Sequence, residues 1–366
     1  MREGWTYKKL NEVCDKGSSN IVINKLENNN GDYPLYGASG LVKNVDFYHQ
    51  DKPYIGIVKD GAGVGRVNTY PAFSSLVGTM QYIFAKEECL LDYIKYFLVK
   101  LDLSHCVSGA TIPHIYFKDY GKERIPVPSL SEQQSIVAEL DKINELISLK
   151  KAQLSDLDSL AQSIFYDMFG DPIENDKGWE KKKYEEICLI ITDGEHGTPK
   201  RESSGILLLS ARNIHNHRLE LQDVDYIGEE EYDRISKRII PQAKDILLSC
   251  SGSVGRVCSV PDDVKFQMVR SVALLRLKSH MNNVFFEYLI SSDFTQEQIT
   301  KAKSNSAQAN LFQGRIKQMI AITPPLSLQQ EFAKRIELIE QQKAQINSTI
   351  KDLETLLASR MQHWFD

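Results

Sequence analysis

The chain has no long apolar run and no cysteine pattern typical of a metal or disulfide site. None of its 366 residues belongs to an apolar run of about 18 or more, and residues 1–10 lack the apolar stretch of a secretory signal. We therefore expect no membrane span and a cytoplasmic protein. The six cysteines form no Cys-x-x-Cys pair and no zinc-finger spacing with the eight histidines, which predicts reduced, buried thiols.

The sequence also lacks a global basic charge and the common catalytic motifs. Lysine and arginine total 44 against 49 acidic residues, so the net charge of −5 gives no general signal of nucleic-acid binding. Gly-x-Ser-x-Gly, His-Glu-x-x-His, Asn- or Asp-Pro-Pro-Tyr and a Walker set do not occur. Together with the duplication described next, this favours recognition over catalysis.

Three ordered pairs of motifs indicate a tandem duplication. Residues 4–14 and 178–188 share Gly-Trp-x-x-Lys-Lys-x-x-Glu-x-Cys, at an offset of 174. Residues 63–67 and 253–257 share Val-Gly-Arg-Val at an offset of 190, and residues 128–134 and 324–330 share Pro-x-Leu-Ser-x-Gln-Gln at 196. The second half thus has 16 extra residues before its glycine loop and 6 after it.

Two long amphipathic helices are predicted after the third motif. Ser131 with Gln134, and Ser327 with Gln330, have the spacing of a capping box, which places each helix start. Apolar positions then recur at alternating spacings of four and three, the 3.5-residue period of a coiled coil. The predicted first seam includes Leu157, Ala161, Ile164 and Met168, and the seams are interrupted at Lys150, Lys343 and Arg360.

The length of these helices bears on their role. Residues 131–168 would form a helix of roughly 57 Å, longer than a small domain is wide. The alternative is a pair of surface helices on one ordinary core. The simplest symmetric closure pairs the two helices antiparallel, with a mixed strand and helix domain from each half at opposite ends. The predicted fold class is therefore α+β.

The glycine loop at residues 60–66 follows a strand-like run, Tyr54–Val58, and invites a nucleotide-binding interpretation. Its details do not match, because Arg66 stands where a dinucleotide fingerprint has glycine and no Walker Gly-Lys-Ser/Thr follows. The second copy keeps Arg256 while losing glycines. Either both arginines contact DNA or both form structural salt bridges; the sequence favours neither.

Further candidate DNA contacts lie in polar loops. Residues 192–201 and 210–218 are rich in turn formers and in side chains that pair with phosphates or base edges. His215 and His217 could suggest a metal, but no carboxylate or cysteine stands at a helpful spacing, which favours a solvated loop. Residues 16–20 and the segments 108–114 and 304–310, which precede the long helices, are also candidates. The predicted DNA-binding residues are Arg66, His114, Lys200, Arg201, Arg212, Asn213, Arg256 and Asn310.

Taken together, the repeated Gly-Trp start, the Val-Gly-Arg loop, the Pro-x-Leu-Ser-x-Gln-Gln helix start and the Phe-ended helices resemble the specificity subunit of type I restriction-modification systems. Residues 33–40 and 193–199 also look like recurring phrases of that family's target recognition domains. The resemblance implies recognition domains at 1–130 and 170–326, separated by antiparallel coiled-coil spacer helices at 131–169 and 327–366. It covers the whole chain.

The resemblance further implies a non-catalytic subunit that binds double-stranded DNA. Each domain would recognise one half of a bipartite, asymmetric site, and the helices would fix the gap. The implied partners are two methyltransferase subunits, which bring S-adenosylmethionine and methylate adenine, and restriction subunits that use ATP and Mg. No cofactor, metal or catalytic residue is expected in this chain itself. Because the halves differ in length and loop chemistry, we expect two different half-sites.

Three alternatives follow from the same residues. A methyltransferase could use the loop at residues 61–65 for its nucleoside cofactor, and would bind S-adenosylmethionine. A coiled-coil scaffold with two protein-binding domains would not retain duplex DNA. A silent cassette partner of an expressed copy would leave DNA methylation unchanged.

Overall fold

A computed structural model of the chain describes residues 4–109, 111, 113–303 and 310–366. The chain divides into two units, one formed by Met1–Ala152 with Ile346–Asp366, the other by Gln153–Gln345. We call them unit 1 and unit 2. Each unit contains one copy of the sequence repeat and a part of each long helix.

Unit 1 is built from short strands, short helices and the first long helix. In chain order its elements are β1 (Thr6–Lys9), α1 (Leu10–Val13), β2 (Cys14–Ser18), β3 (Tyr33–Gly37), β4 (Gly40–Val45), β5 (Tyr54–Val58), β6 (Val67–Tyr70), β7 (Ser75–Leu76), β8 (Met80–Ala85), α2 (Leu91–Leu101), α3 (Phe117–Tyr120), β9 (Arg124–Val127) and α4 (Leu130–Phe169), which continues into unit 2. Short 3-10 helices cover Ile23–Leu26 and Leu103–Cys106.

The central sheet of unit 1 has the strand order β2-β8-β5-β6, with every neighbour antiparallel. All five residues of β5 are buried, as its continuous apolar sequence predicts. Its alternate side chains enter two different cores. Ile55 and Ile57 pack in the core with α2, whereas Tyr54 and Val58 pack in the core of the second sheet, β4-β3-β7.

Unit 2 repeats this arrangement with additions. Its elements are β10 (Lys181–Lys183), α5 (Tyr184–Ile187), β11 (Cys188–Asp193), β12 (Arg201–Glu202), β13 (Ile206–Leu209), β14 (Ile214–His215), β15 (Arg218–Leu219), β16 (Asp225–Ile227), α6 (Glu229–Ser236), β17 (Ile246–Ser249), β18 (Val257–Ser259), β19 (Phe266–Met268), β20 (Val272–Leu277), α7 (Asn283–Ser291), α8 (Asp293–Ala302), α9 (Gln313–Gln318), β21 (Ile320–Ile322) and α10 (Leu326–Phe365), which continues into unit 1. A 3-10 helix covers Ala211–Asn213.

The sheets of the two units correspond strand by strand. The order β11-β20-β17-β18 matches β2-β8-β5-β6, and the parallel pair β13 and β19 matches β3 and β7. The duplication seen in the sequence is therefore a structural repeat. The strand β16 pairs with β13 as β4 pairs with β3, and the extra residues between β13 and β17 form the β14–β15 hairpin and α6.

The two long helices are α4 and α10, each 40 residues long. Within unit 1, Lys151 pairs with Glu354 and Glu139 pairs with Arg360, so partner numbers rise on one helix as they fall on the other. Within unit 2, Asp158 pairs with Lys343, and Phe165 contacts Phe332 at a ring distance of 5.7 Å. The helices are antiparallel in both units, and at least two of the predicted seam interruptions are ion pairs between helices.

The helix starts correct one prediction. The helices begin at Leu130 and Leu326, one residue earlier than predicted, and the first is capped by Ser129, whose N–H and hydroxyl both donate to Glu132. The capping boxes expected for Ser131 with Gln134 and Ser327 with Gln330 are wrong, because the serines lie inside the helices. A smaller correction concerns the seam, where Phe165 is buried and Ile164 is only half-buried.

Candidate nucleic-acid interface

The glycine-rich loop of unit 1 is the turn between β5 and β6. The Gly65 N–H donates to the Val58 carbonyl at 2.8 Å, and the Val58 N–H donates to the Arg66 carbonyl at 3.0 Å. Gly61, Gly63 and Gly65 have φ angles of +83°, +88° and +88°, left-handed values that favour glycine. The turn joins two antiparallel strands rather than a strand and a helix, so it does not have the geometry of a dinucleotide-binding loop.

The Arg66 side chain is exposed and lies over Gly63. A Cβ at Gly63 would come within 2.8 Å of the guanidinium carbon, so the glycine makes room for it. Among the residues that the structure describes, no carboxylate forms an ion pair with Arg66. The structural salt bridge left open by the sequence is therefore not formed within that part of the chain, and the guanidinium can bind a ligand.

The matching turn of unit 2 joins β17 to β18 and is one residue shorter. The Gly255 N–H donates to the Ser249 carbonyl at 3.0 Å, and the Ser249 N–H donates to the Arg256 carbonyl at 2.9 Å. The Ser249 hydroxyl also accepts from the Arg256 N–H at 2.8 Å and donates to the Ser253 carbonyl at 2.5 Å. The Ser249 hydroxyl thus stabilises a turn that has fewer glycines than its counterpart in unit 1. Arg256, like Arg66, directly follows the last glycine of the turn.

The arginines of unit 2 fall into two groups by their partners. Seven of them form ion pairs with carboxylates of the same unit: Arg201, Arg212, Arg218, Arg234, Arg238, Arg276 and Arg335. Arg256, Arg270 and Arg315 form none with the residues described in the structure. An arginine without an internal carboxylate keeps its whole charge for an external anion. Arg66 and Arg256, which lie at equivalent turns, both lack an ion pair with a carboxylate among the described residues.

The segments that precede the long helices meet these turns. In unit 1, His114 forms a β-bridge with Asp60, and the Gly61 N–H donates to the Pro113 carbonyl at 2.9 Å. In unit 2, Asn310 forms the same bridge with Ser251. The segments that carry the predicted site residues are thus joined in each unit: Arg66 with His114 in unit 1, and Arg256 with Asn310 in unit 2. Of the predicted segments 108–114 and 304–310, residues 110, 112 and 304–309 lie outside the described residues.

The loop at 193–201 is held by charged side chains of α6 and its C-terminal end. Asp193 pairs with Arg238 and with His196, and Glu195 pairs with Arg234 at 3.3 Å. The Lys200 N–H donates to Glu231 at 3.3 Å, while the Lys200 residue itself is exposed. The loop is thus ordered by its own unit, and Lys200 remains accessible to a ligand.

Arg201 and Arg212 share a single carboxylate, that of Asp225. Arg201 Nε lies 2.9 Å from Asp225 Oδ2, and Arg212 Nη2 lies 3.0 Å from Asp225 Oδ1. Burial opposes ionisation of Asp225, but the hydrogen bonds from Arg201 and Arg212 outweigh it and lower the pKa of the carboxyl. The two arginines are exposed but partly neutralised.

Asn213 does not lie where the sequence predicted. It is 1% exposed and uses its whole amide internally, accepting from the Ser210 N–H at 2.9 Å and donating to the carbonyls of Glu220 and Asp223 at 3.0 and 2.8 Å. A side chain with no open donor or acceptor cannot pair with a base edge. The structure therefore removes Asn213 from the candidate contacts and gives it a structural role in the loop.

The histidines of this loop have separate environments. His217 Nδ1 lies 2.8 Å from the buried Glu287 carboxylate, and its ring stacks on Tyr288 at 4.1 Å. His215 pairs with Arg218 in the β14–β15 hairpin. In the described ranges, no group of three or more His, Cys, Asp or Glu side chains is arranged to hold a metal ion.

Two further arginines without an ion pair among the described residues, Arg270 and Arg315, were not among the residues predicted from the sequence. The Arg270 N–H donates to the Glu195 carbonyl at 2.9 Å, which places it beside the 193–201 loop, and Arg315 follows Asn310 on α9. Neither lies in a recognisable motif. What distinguishes them is that neither forms an ion pair with a carboxylate among the described residues. Such pairing depends on tertiary structure and is not visible in the sequence.

None of the described helices is long and apolar enough to cross a membrane. Comparison with known proteins identifies the fold. The family model of the type I restriction modification DNA specificity domain matches residues 2–158 and 176–355. The chain therefore belongs to the type I restriction-modification DNA specificity family, and the resemblance seen in its motifs is confirmed.

Individual relatives are distant. The chain is 24% identical over 308 residues to the MjaIX specificity subunit of Methanocaldococcus jannaschii, covering 78% of this chain and 67% of that protein. It is 20% identical over 283 residues to the EcoBI specificity subunit of Escherichia coli, covering 69% and 60%. These alignments span about two thirds of the relatives' lengths or less.

Solved structures show the same fold over the whole chain. The specificity subunit from M. genitalium superposes with a TM-score of 0.56 at 15% identity, covering 99% of this chain and 96% of that one. A chain from a type I restriction-modification assembly superposes with a TM-score of 0.58 at 16% identity, covering 100% and 98%. The predicted fold class is confirmed.

Proposed function

We propose that this chain selects the DNA sequence on which a type I restriction-modification complex acts. Each unit recognises one half of a bipartite, asymmetric duplex site. The observation that carries this proposal is the duplicated turn, in which Arg66 and Arg256 have no internal carboxylate among the described residues and stand beside the segments of His114 and Asn310.

The recognition domains are residues 1–130 and 170–326, and the spacer helices are residues 131–169 and 327–366. Two helices of 40 residues, each about 60 Å long, set a fixed distance between the half-sites. Their antiparallel pairing and ion pairs support a stiff spacer. An insertion in one recognition domain then changes what is recognised without changing the gap.

The DNA contacts divide by type. Arg66 and Arg256, with His114 and Asn310 beside them, form the central contact of each unit. Lys200 contacts phosphate, as do Arg201 and Arg212 through the donors that Asp225 leaves open. Phosphate contacts fix register, and a guanidinium specifies a base only where it makes two hydrogen bonds to guanine.

The partners carry the chemistry. Two methyltransferase subunits bring S-adenosylmethionine and methylate adenine, and restriction subunits use ATP and Mg to cleave unmodified DNA in the cytoplasm. This chain binds none of these cofactors. The glycine turn joins antiparallel strands, which argues against the rival methyltransferase interpretation, and binding of S-adenosylmethionine by the isolated chain would revive it.

Unit 2 differs from unit 1 by the β14–β15 hairpin and the helix α6, which are inserted between β13 and β17. It also has Arg270 at the position where unit 1 has Gly78. We therefore propose two different half-sites. Identical half-sites in the methylated motif would contradict this part of the proposal.

The experiment is an adenine-methylation map of the host with the gene intact, deleted, or carrying Arg256→Ala. Deletion should abolish one bipartite motif, and Arg256→Ala should weaken or relax only one half of it. Arg335→Ala, which removes the same charge from a long helix, is the control and should leave the motif intact. An unchanged map after deletion would contradict the proposal and favour a scaffold or silent cassette.

A further inference from the structure

Two exposed aromatic rings occupy equivalent positions next to the proposed DNA contacts. Tyr116 is 45% exposed and Phe312 is 62% exposed, and they are separated by the same 196 residues as the helix-start motifs. Each lies in extended backbone immediately before a short helix, α3 or α9. The same exposed ring is thus kept in both units although its neighbours in the sequence differ.

Both rings are mounted on backbone that is fixed to the turn. The residue before each ring is buried, Ile115 at 2% and Leu311 at 3% exposure. The Ile115 N–H donates to the Lys59 carbonyl at 3.0 Å, and the Leu311 N–H donates to the Cys250 carbonyl at 2.9 Å. In each unit the ring therefore lies on the segment that forms a β-bridge with the arginine turn.

A basic residue follows each ring in the sequence, and in unit 1 its charge contacts the ring. The Lys118 ammonium lies 5.0 Å from the centroid of the Tyr116 ring. One turn after Phe312, the Arg315 N–H donates to the Phe312 carbonyl at 2.8 Å, and Arg315 is exposed without a carboxylate partner among the described residues. A ring beside a positive charge suits a polyanion with apolar bases and sugars better than an apolar protein surface.

We infer that Tyr116 and Phe312 contact DNA directly, one in each half-site, by packing their rings on bases or deoxyribose. This inference rests on the proposed function. The property shared by the two side chains is the ring, since only Tyr116 has a hydroxyl. The contact is apolar and independent of base sequence, whereas those of Arg66 and Arg256 are electrostatic.

The test uses the purified complex with its methyltransferase subunits and a duplex that contains the motif from the methylation map. Tyr116→Ala or Phe312→Ala should each weaken binding about tenfold, because loss of a ring that buries apolar surface against the duplex removes about 1.4 kcal/mol of contact. The slope of affinity against salt should stay unchanged, whereas Arg66→Ala should reduce it by about one. Tyr116→Phe and Phe312→Tyr should bind like the wild type.

Phe73→Ala is the matched control, because this ring is 51% exposed in unit 1 but lies on a different loop. Wild-type affinity of both alanine variants, or an equal loss in Phe73→Ala, overturns the inference. So does loss of methyltransferase subunits from the alanine variants without DNA, which would make the rings a protein contact. If the wild-type complex does not retain the duplex, the proposed function fails instead.

Discussion

Glu139 and Arg360 pair across the two long helices of unit 1. Arg360 Nη2 donates to Glu139 Oε2 at 3.1 Å, Trp364 Nε1 donates to the same oxygen at 2.9 Å, and the guanidinium lies 5.1 Å from the Trp364 ring centroid. The sequence presents Arg360 as a defect in an apolar seam. The structure shows a charged link that fixes the pairing of the helices.

This pair predicts a pH dependence of stability. The hydrogen bond from Arg360 is the largest effect on Glu139 and lowers its pKa, against a smaller opposing effect of burial. The folded value then lies below the unfolded value of about 4.3, so the pair stabilises the fold above that pH and loses its contribution as pH falls through the folded pKa.

Glu139→Gln should therefore cost about 1 kcal/mol or less at pH 7, in the range of partly exposed pairs, and nothing in strong acid. Denaturant titration of both proteins between pH 7 and pH 2 measures the difference. Glu145→Gln, an exposed change on the same helix, is the control. A difference that persists unchanged at low pH would show that the ion pair is not its cause.

Gln133 and Gln329 predict a larger effect on stability. Both are 0% exposed. Gln133 accepts from the Leu90 N–H at 2.9 Å and donates to the carbonyls of Glu88 and Pro128 at 2.9 and 3.0 Å. Gln329 accepts from the Asn282 N–H at 2.8 Å and donates to the Pro324 carbonyl at 2.7 Å.

Leucine at either position would leave these buried groups unpaired, at a cost of about 2 to 3 kcal/mol. Gln134→Leu and Gln330→Leu change the exposed neighbours and should cost far less. Urea unfolding of the four variants tests this prediction. Equal midpoints for the buried and exposed changes would contradict the anchoring role.

Asp225→Asn should strengthen DNA binding. The change removes one negative charge and releases Arg201, whereas Arg212 keeps its contacts with the carboxylate and carbonyl of Asp223 at 3.5 and 3.1 Å. Log affinity should therefore fall more steeply with log salt, by about one phosphate contact. Asp262→Asn makes the same charge change at another exposed residue of unit 2 and is the control. If the two variants bind alike, Arg201 does not face DNA.

The cysteines predict a graded reactivity. All six are free, and burial raises the pKa of each thiol, to about 11 for Cys89 and about 12 for Cys14. Cys106 is half-buried, and burial also raises its pKa. In the folded protein at pH 8, iodoacetamide should label Cys106 first and slowly, and the other five only on unfolding. Mass spectrometry of timed samples measures the order.

Elements governed by local pattern were predictable from the sequence. The apolar run at residues 54–58 is β5, and the two long helices predicted after the third motif are α4 and α10. The antiparallel helices followed from period and symmetry. Local patterns predict these elements because the apolar side chains of each run are buried in a hydrophobic core.

The site was predictable only in part, because partners far apart in sequence decide which polar side chains remain open. Asn213 and Arg256 both lie in polar loops. The Asn213 amide donates to the carbonyls of Glu220 and Asp223. The Arg256 guanidinium forms no ion pair with a carboxylate among the described residues. The helix start was misplaced for a different, local reason. Ser129 and Glu132 form a capping box that overlaps the predicted one by two residues.

Three partners of the Gln133 amide, at Leu90, Glu88 and Pro128, are main-chain atoms. The close partners of Gln329 are also main-chain atoms. A main-chain donor or carbonyl is present whatever side chain a residue carries. Side chains in the globular part of each unit can therefore be substituted without loss of these hydrogen bonds to the long helix, as long as the backbone keeps its path. Change in the side chains of the globular part is thereby separated from the bonds that hold this part to its helix.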